Sequence, residues 1–558
     1  MRQILNTTFL FLLLLPMLAK AQQWGHYTLV SLQNSTSTQL LDTNGNAFKT
    51  WTNTGKTGYS TYMMPGGAIW RAVARTGNSF TGGPICGEVQ KLDYNGNIVW
   101  DYVYSTTQYC SHHDICPMPN GNVLLIAYER IAAADVTAAG GSSSIEMWPD
   151  KIVEIQPTGA TSGTVVWEWR AWDHLMQNVD AAKPNYVTNL AAHPERLNIN
   201  YKQSKDWMHM NGVDYNPILD QVAFSSHNLN EWYIIDHSTS MAEAATNKGG
   251  NSGKGGDILY RWGNPAAYGA TGTAILNVTH DAHWIPEGVP NAGRLVGFNN
   301  RGVSASKSSV DQINTPIDAY NYSITSGSAF LPATYDTRHA CSGYSSNMGN
   351  SQQLPNGNML VCVATAGLVY EIDPSGNTLW SKTFSGAVPQ AFRYDTCYIN
   401  NSAPAIPTIT ENNAVLSSSV ASTYQWYKNG VQISGANSQT YTPSDSGVYL
   451  VRITDSKSCV NQYSAGYRYK TGGGNSGVSD ILKQQISIYP NPGSGQFQLK
   501  MDSETSNYEV VVSTITGQEI FRGSNISSFD ISSADAGLYF VSVLIENQGK
   551  ITKSIIKN

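Results

Sequence analysis

At 558 residues the chain is too long for one hydrophobic core, and a typical size of about 150 residues per domain predicts two to four domains. Charged residues make up only 13% of the chain against roughly 25% in an average soluble protein, and the net charge is −6 without a basic run, which argues against a nucleic-acid partner. The 50 glycines, 31 tyrosines and 14 tryptophans are typical of a turn-rich, all-β architecture.

The first 21 residues have the pattern of a secretory signal peptide. Arg2 gives the positive start, residues 5–18 are largely apolar, and residues 19–21 form an A-x-A cleavage site. No later segment has 18 consecutive apolar residues, so we expect an exported, soluble protein. Seven cysteines in such a chain permit disulfides, and Cys110 with Cys116 is one candidate pair that the sequence leaves open.

Two patterns alternate between about residues 24 and 400. The first is a turn followed by a buried strand, in the segments YMMPGGAIWRAV, PMPNGNVLLIA, YNPILDQVAFSS, IPEGVPNAGRLVGF and LPNGNMLVCVA. The second is a hairpin ending in tryptophan, clearest in LLDTNGNAFKTW, KLDYNGNIVW and YEIDPSGNTLW. The recurrent tryptophans favour packing between the repeats: Trp51, Trp100, Trp167, Trp262 and Trp380. One strand plus one hairpin is typical of a β-propeller blade, and the patterns predict six blades over 24–400, with 390–399 supplying the strand that closes the ring.

The repeat places several histidines in equivalent positions. His113 and His280 stand six residues before the turn proline of their repeats, as do Tyr59 and Gly349, and His209 stands eight before its own. Equivalent positions on successive blades meet around one end of the central channel, so we expect three histidines that are far apart in sequence to converge there.

After residue 400 the pattern changes. Residues 403–469 contain a strand tryptophan, an Asn-Gly turn and a D-S-G-x-Y motif, which place Tyr449 as the tyrosine corner of an immunoglobulin-like β-sandwich. Residues 470–478 are a glycine-rich flexible linker, and 479–558 form a second short sandwich. The predicted fold is therefore all-β: a six-bladed propeller followed by two small β-sandwich domains.

Histidines that converge in one channel are compatible with two kinds of chemistry. His112, His113, His209, His280 and His283, supported by Asp114 or Asp281, are of the types that bind zinc, but no compact ligand motif is present. Alternatively, one neutral imidazole attacks the substrate, a second protonates the leaving oxygen, and an amide donor such as Asn211 holds the developing charge. The set of residues favours the second interpretation.

Four segments, in the same order, resemble motifs of the bacterial arylsulfate sulfotransferase family: HHDICPMPNGNVLLI, DWMHMNGVDYNP followed by VAFSSH, DILYRWGNP, and HDAHWIP followed by GRLVGFNNRG. The resemblance covers about 60–380. It implies a six-bladed propeller that moves a sulfuryl group from a phenolic sulfate ester to a phenol by a ping-pong route, without a nucleotide sulfate donor or another cofactor. Carried over by position, His280 is the histidine that becomes sulfated, His209 the acid–base histidine, Asn211 a sulfate-oxygen donor, and His113, with His112 as second choice, the other channel ligand.

One position departs from the family pattern. Where the family has an arginine after a serine pair, this chain has His227, and imidazole does not replace a bidentate guanidinium without loss. We therefore consider three substitutes that could contact sulfate: His227 as an imidazolium, Arg301 in FNNRG, or Arg338 in TRHA.

The C-terminal region resembles the sorting domain recognised by the type IX secretion system, which implies export followed by release or anchoring at the cell surface, with that machinery as a partner of 479–558. The leading hypothesis is an exported aryl sulfotransferase with a small aryl sulfate and a phenolic acceptor as substrates. The alternatives are a non-catalytic ligand-binding propeller at the cell surface and a metal-dependent hydrolase or lyase that uses the channel histidines.

Overall fold

The computed structural model describes 22–52, 55–471, 486–501, 508–514, 518–545 and 549–558. The predicted signal peptide at 1–21 and most of the predicted linker at 470–478 lie outside these ranges. The chain divides into two compact units. The first comprises residues up to 406 together with 454–463, and the second comprises 407–453 and 464–558.

The first unit contains six four-stranded antiparallel sheets, which confirms the prediction of a six-bladed propeller. In each blade the strands are ordered from the channel outwards. Blade one is Ala391–Tyr394, Tyr27–Ser31, Ser37–Leu41 and Ala47–Thr52; blade two is Lys56–Met63, Ile69–Ala74, Gly87–Leu92 and Ile98–Val103; blade three is Tyr109–Pro117, Val123–Glu129, Asp150–Gly159 and Ser162–Arg170. Blade four is Met210–Asn216, Gln221–Ser226, Glu231–Asp236 and Tyr260–Trp262; blade five is Thr279–Trp284, Leu295–Ser304, Lys307–Ile313 and Thr337–Ala340; blade six is Asn350–Gln353, Met359–Val363, Leu368–Ile372 and Thr378–Thr383.

The ring closes through strands from its two ends. Ala391–Tyr394 is the channel strand of blade one and pairs with Tyr27–Ser31, Ala391 opposite Val30, as the segment 390–399 predicts. The strand is shorter than that segment, because Asp395 caps a helix over Thr396–Asn400 by accepting a hydrogen bond from a backbone N–H of the helix.

A disulfide joins Cys397 to Cys459, and the candidate pair that the sequence left open, Cys110 with Cys116, does not form, because both cysteines are free. Those two cysteines lie on one channel strand, Tyr109–Pro117, where they pair with different residues of the next strand. An extended strand separates residues six apart by roughly 20 Å, even allowing for some bending, whereas the two Cα atoms of a disulfide lie about 4.4–6.8 Å apart.

Tryptophans fill the space between neighbouring blades, as the sequence pattern indicates. Trp51, Trp100, Trp167 and Trp262 are all at most 4% exposed. Each indole Nε1–H donates to an oxygen on the following blade or on the loops that cover it: to Tyr94 O, Ser162 O, Thr239 Oγ1 and Pro332 O respectively. A buried indole needs such an acceptor, so these residues tie adjacent blades together as well as filling the core.

Short elements decorate the first unit. They are the helices Ala133–Ala138 and Met241–Ala244, the 3₁₀ turns Ala171–His174, Leu190–Ala192, Pro265–Tyr268 and Ala364–Ala366, the parallel pair Leu175–Met176 with Leu197–Asn198, and the antiparallel pair Ile317–Asp318 with Asn321–Tyr322. Within the described ranges, none of the helices is long and apolar enough to span a membrane.

Past the propeller, the chain forms two further groups of sheets. The first group has a three-stranded sheet (Ile409–Asn412, Val415–Ser418, Thr440–Tyr441) and a five-stranded sheet (Val431–Gln432, Thr423–Lys428, Gly447–Thr454, Asn461–Tyr463, Tyr467–Tyr469). Buried Trp426 and Tyr449 belong to one core there, and the Tyr449 hydroxyl donates to the backbone oxygen of Asp445 at 2.8 Å, the geometry of a tyrosine corner. The second group has a sheet of Ile486–Tyr489, Gln496–Met501 and Ser528–Asp530 and another of Glu519–Ser524, Tyr508–Thr514, Gly537–Ile545 and Gly549–Lys557.

Candidate active site

Four histidines form a continuous arc at the channel end of blades three, four and five. The ring centroid of His113 lies 4.6 Å from that of His209, which lies 5.0 Å from His227, which in turn lies 5.6 Å from His280. The sequence predicts that His113, His209 and His280 converge, and the structure brings them together with His227 between the last two.

Irregularities in the channel strands aim these side chains. The pairing of the first two strands shifts register between Ser111 and Ile115 in blade three, and similar shifts occur next to His209 and after His280. His113 and His209 have φ values of 51° and 53°, in the left-handed region that L-residues with a side chain rarely adopt. Bulges of this kind redirect a side chain at the end of a strand and are common beside active sites.

His280 is buried and held on both ring nitrogens. Its Nδ1 lies 2.7 Å from Asn300 Oδ1, and the Asn300 amide nitrogen donates to the backbone oxygens of Ser345 and Met348, so the Asn300 oxygen is the acceptor and His280 carries its proton on Nδ1. The bare Nε2 accepts the Met348 N–H at 3.1 Å. Burial, reinforced by nearby His227, lowers the pKa of His280 well below its usual value, so the ring is neutral and its Nε2 carries a lone pair.

His209 is paired with a carboxylate. Its Nδ1 lies 2.6 Å from Asp206 Oδ2, and the Tyr128 hydroxyl donates to the same oxygen at 3.2 Å. Burial alone would raise the pKa of Asp206, but the hydrogen bond and the charge of His209 outweigh it and lower the pKa. Asp206 is therefore an anion, and its hydrogen bond to Nδ1 fixes the orientation of the His209 ring.

His113 is backed by a second histidine. His113 Nδ1 lies 2.7 Å from His112 Nδ1, and His112 Nε2 lies 2.7 Å from Asp150 Oδ1. The His112 ring stacks on Tyr128 with centroids 3.7 Å apart, behind the arc. The structure thus places His113, the first choice from the sequence, in the arc and its second choice, His112, one layer behind.

The position of the missing family arginine is occupied by an uncharged ring. Burial, followed by the charge of His209, lowers the pKa of His227 to about 4, and its Nδ1 bonds Asn228 Oδ1 at 2.7 Å. The substitute His227 imidazolium is therefore absent at neutral pH. Arg301 is exposed, contacts the Tyr344 hydroxyl at 3.4 Å and is near enough to contribute to the lowered pKa of His227.

Arg338, the third substitute considered from the sequence, does not lie at the arc of histidines, and its guanidinium is bound elsewhere. Its guanidinium binds both carboxylate oxygens of Asp311, each at 2.6 Å, within blade five, and donates to the backbone oxygen of Gly302. Since Asp311 is fully buried, releasing Arg338 would leave an unpaired buried charge.

Asn211 and His283 lie next to the arc but are committed to other contacts. The buried Asn211 amide donates to the backbone oxygen of Thr279, the residue before His280, at 2.7 Å, and accepts the Ser225 hydroxyl at 2.6 Å. His283 pairs with Asp281 at 3.1 Å. Within the described ranges, no group of three or more His, Cys, Asp and Glu is arranged to hold a metal ion.

Comparison with protein families then gives two matches. The model of the arylsulfotransferase (ASST) family matches residues 26–394, about two thirds of the chain. The chain belongs to the arylsulfotransferase family. This membership assigns the propeller to sulfuryl transfer. The second match is a secretion system C-terminal sorting domain over residues 487–558, which indicates that this arylsulfotransferase is exported.

Similarity to individual proteins is remote. No curated protein matches the chain. Solved structures similar to this arylsulfotransferase include the β-propeller domain of Cps50 (Swd1) from Myceliophteria thermophila, at 9% identity over 71% of this chain and 93% of that one with a TM-score of 0.30. Streptogramin B lyase matches at 10% identity over 66% of this chain and 85% of that one, with a TM-score of 0.31. Similarity at this level carries no argument about function.

Several residues that organise the site of this arylsulfotransferase were not singled out from its sequence. Asp206 stands three residues before His209, in the same DWMH motif, and this spacing was the one available signal. Asp150 lies 38 residues after His112, its partner, and Asn300 and Met348 lie 20 and 68 residues after His280, which both contact. Only the fold reveals contacts between residues so far apart in sequence.

Proposed function

We propose that the protein moves a sulfuryl group from an aryl sulfate ester to a phenol through a covalent intermediate on His280 Nε2. The observation that carries this proposal is the arrangement of His280: a neutral ring whose proton is held on Nδ1 by Asn300, which leaves a lone pair on Nε2 beside His227 and His209. A neutral imidazole with a defined tautomer is a competent nucleophile.

In the first half-reaction, His280 Nε2 attacks sulfur as the bond between sulfur and the phenolic oxygen breaks. The electron pair of that bond stays on the departing phenolic oxygen, which takes a proton from His209. The ring must first release its hydrogen bond from Met348 N–H, and this amide, 3.1 Å from Nε2, is then placed to donate to an oxygen of the transferred group. Sulfuryl transfer resembles phosphoryl transfer in its loose transition state, so positioning and charge stabilisation supply most of the catalysis.

In the second half-reaction, the hydroxyl oxygen of the acceptor attacks sulfur and the nitrogen–sulfur bond breaks. The acceptor proton passes to His209, and His280 regains its lone pair. Asp206 supports this exchange because its negative charge, 2.6 Å from His209 Nδ1, stabilises the His209 imidazolium that gives up its proton in the first half-reaction and is restored in the second. His113, Arg301 and the second N–H of the Asn211 amide, beside the one that donates to Thr279, are proposed to contact the oxygens of the sulfuryl group or the substrate.

The decisive experiment measures transfer and the intermediate separately. With 4-nitrophenyl sulfate and phenol, we expect release of 4-nitrophenol that depends on phenol, and sulfation of the peptide containing His280 when the acceptor is withheld. His280→Asn should lower the rate by a factor on the order of 10⁴ and remove the sulfated peptide. His193→Asn, at a partly exposed histidine paired with Glu195, is the matched control and should retain activity.

One observation favours a second candidate, a propeller that binds a ligand without transferring a group. The neutral His227 replaces the guanidinium that the family pattern has at this position, which weakens the hold on a sulfate ester. In that case no 4-nitrophenol is released, and binding of 4-nitrophenyl sulfate survives the His280→Asn substitution.

A further inference from the structure

A buried chain of three side chains ends at the arc of histidines. Asp150 Oδ1 lies 2.7 Å from His112 Nε2, and His112 Nδ1 lies 2.7 Å from His113 Nδ1. All three residues are at most 1% exposed, and the second oxygen of Asp150 accepts the backbone N–H of Met210 at 3.0 Å. His113 Nε2 makes no hydrogen bond within the part of the chain that the structure describes, so it is the open end of the chain.

The hydrogen bonds allow two arrangements of protons. When Asp150 is ionised, His112 donates from Nε2 to Asp150, His113 donates from Nδ1 to His112, and His113 Nε2 is bare. When Asp150 is protonated, it donates to His112 Nε2, His112 donates from Nδ1 to His113, and His113 carries a proton on Nε2. One proton added at His113 Nε2 converts the first arrangement into the second, with each link passing its own proton inward.

We propose that Asp150, His112 and His113 form a proton relay that determines whether His113 presents an N–H donor or a lone pair to the bound sulfuryl group. The inference rests on the proposed function for the identity of that ligand. A lone pair repels the oxygens of a sulfate ester, whereas an N–H donates to them. Binding therefore draws one proton into the relay, and Asp150 stores it away from the ligand. His112 and Asp150 are positioning residues.

The surroundings favour storage of the proton on Asp150 over an imidazolium. Burial, followed by the charge of His209, lowers the pKa of both His112 and His113, and the latter also faces His280 and His227. Burial and the neighbouring charge of Asp206 raise the pKa of Asp150. Three further ionisable side chains pack on the relay: Tyr59 on His113, Tyr128 on His112, and Cys86, whose thiol donates to the backbone oxygen of His113. Burial raises the pKa of all three, so they stay neutral.

The relay is tested first in the unaltered full-length protein. Long-range proton–nitrogen correlation spectra of ¹⁵N-histidine-labelled protein distinguish protonated from bare ring nitrogens, and the His113 signals are assigned by their loss in His113→Gln. As the pH falls, we expect the proton of His113 to shift from Nδ1 to Nε2 while the ring stays neutral. A His113 ring that becomes an imidazolium, or that keeps one tautomer throughout, would overturn the proposal.

The Asp150→Asn substitution locks the relay. The fixed Met210 N–H needs an acceptor, so the amide oxygen faces Met210 and the amide N–H faces His112, which reproduces the protonated arrangement at every pH. We expect His113 to carry its proton on Nε2 throughout. Above the transition of the unaltered protein, calorimetry with inorganic sulfate should show tighter binding by the variant, by a ratio that grows about tenfold per pH unit. Equal or weaker binding by Asp150→Asn at all pH values contradicts the relay.

Asp257→Asn is the matched control, because Asp257 also holds a buried histidine, His174, at 3.0 Å, in a pair whose ring packs on Trp169. It should leave the sulfate affinity and the His113 tautomer unchanged. Failure of the relay and failure of the proposed function remain distinguishable. A tautomer shift without transfer from 4-nitrophenyl sulfate refutes the function alone, whereas transfer with a fixed tautomer refutes the relay alone.

Discussion

Each histidine of the arc uses Nδ1 for a partner within the protein. The partners are His112, Asp206, Asn228 and Asn300, for His113, His209, His227 and His280 respectively. At His227 and His280 the partner of Nδ1 is an amide oxygen, which sets the tautomer by accepting the Nδ1 proton. The partners differ in charge, which suits the different roles that we propose: the carboxylate of Asp206 would support His209 as the acid–base group, and the neutral amide of Asn300 would support His280 as the nucleophile.

Asp206 is expected to matter most when the leaving group is poor. Asp206→Asn removes the charge that stabilises the His209 imidazolium, so kcat with phenyl sulfate should fall about 10²-fold. The loss should be much smaller with 4-nitrophenyl sulfate, whose leaving oxygen needs little protonation. Steady-state rates for the two donors check this, with Asp135→Asn on an exposed helix as the control. An equal loss for both donors contradicts the acid–base role of His209.

We expect His227 to limit the binding of a sulfate ester. Because its pKa lies at about 4, the ring is neutral at pH 7 and supplies no positive charge. His227→Arg restores a guanidinium, and a hydrogen bond to a charged group is worth about 1.5–3 kcal/mol, so KM for 4-nitrophenyl sulfate should fall at least tenfold. His227→Gln, which adds no charge, is the control and should not lower KM. An unchanged KM in the arginine variant would show that this position does not contact the sulfate.

The channel strands are joined by a ladder of carboxylates. Asp114 accepts the backbone N–H of Val213 at 3.2 Å, and Asp214 accepts that of Trp284 at 2.9 Å. In both cases an aspartate on one blade accepts a hydrogen bond from the backbone of the next blade. Asp281 continues the series onto blade six through Ser351. These bonds keep the ends of the strands, and therefore the histidines beside them, at fixed spacing where regular pairing is interrupted by bulges.

Farther out, His237 links blades three and four through two carboxylates. Its Nε2 lies 3.0 Å from Glu154 and its Nδ1 lies 2.8 Å from Asp220. Burial alone would lower the pKa of His237, but the hydrogen bonds and charges of Asp220 and Glu154 raise it from 6.5 to about 9. This contribution to stability is complete below pH 6.5 and is lost as the pH rises through about 9.

The pH dependence of stability should therefore change in His237→Gln. Between pH 6 and 9.5, the free energy of unfolding should fall by on the order of 3 kcal/mol more in the unaltered protein than in the variant. Urea unfolding curves at the two pH values measure the difference. His283, which also has its pKa raised to about 9, is present in both proteins and forms a common background. Identical pH dependence in the two proteins contradicts the assignment.

The propeller depends on joining the ends of its chain segment. Blade one takes its channel strand, Ala391–Tyr394, from a position more than 350 residues after the strand with which it pairs, and the disulfide between Cys397 and Cys459 lies just beyond it. Closing a ring of blades removes the two exposed sheet edges that an open array would present. The closure also completes the channel, since Ala391 is bonded to Asn350 of blade six.

Removal of the disulfide should weaken this closure. It links residues 62 positions apart, for which loop entropy predicts a contribution of roughly 4 kcal/mol, although measured values are typically about 2–4. The double substitution Cys397→Ser, Cys459→Ser should lower the urea midpoint of the first unit and leave the transfer rate at 25 °C unchanged. Cys116→Ser, at a free cysteine, should have little effect on either. Equal stability of the double variant and the unaltered protein contradicts the role.

The local periodicity of the chain was enough to predict the blades, their number, the closing strand and the convergence of three histidines, because turn residues and alternating apolar residues act over a few positions and repeat. Such patterns could not predict which residues hydrogen-bond to those histidines. Asp150 meets His112 across 38 residues and Asn300 meets His280 across 20, and a lone aspartate or asparagine has no periodicity to mark it. Three further features depend on burial and distance, which only the tertiary structure defines. They are the neutral state of His227, the disulfide between Cys397 and Cys459, and the ion pair between Arg338 and Asp311.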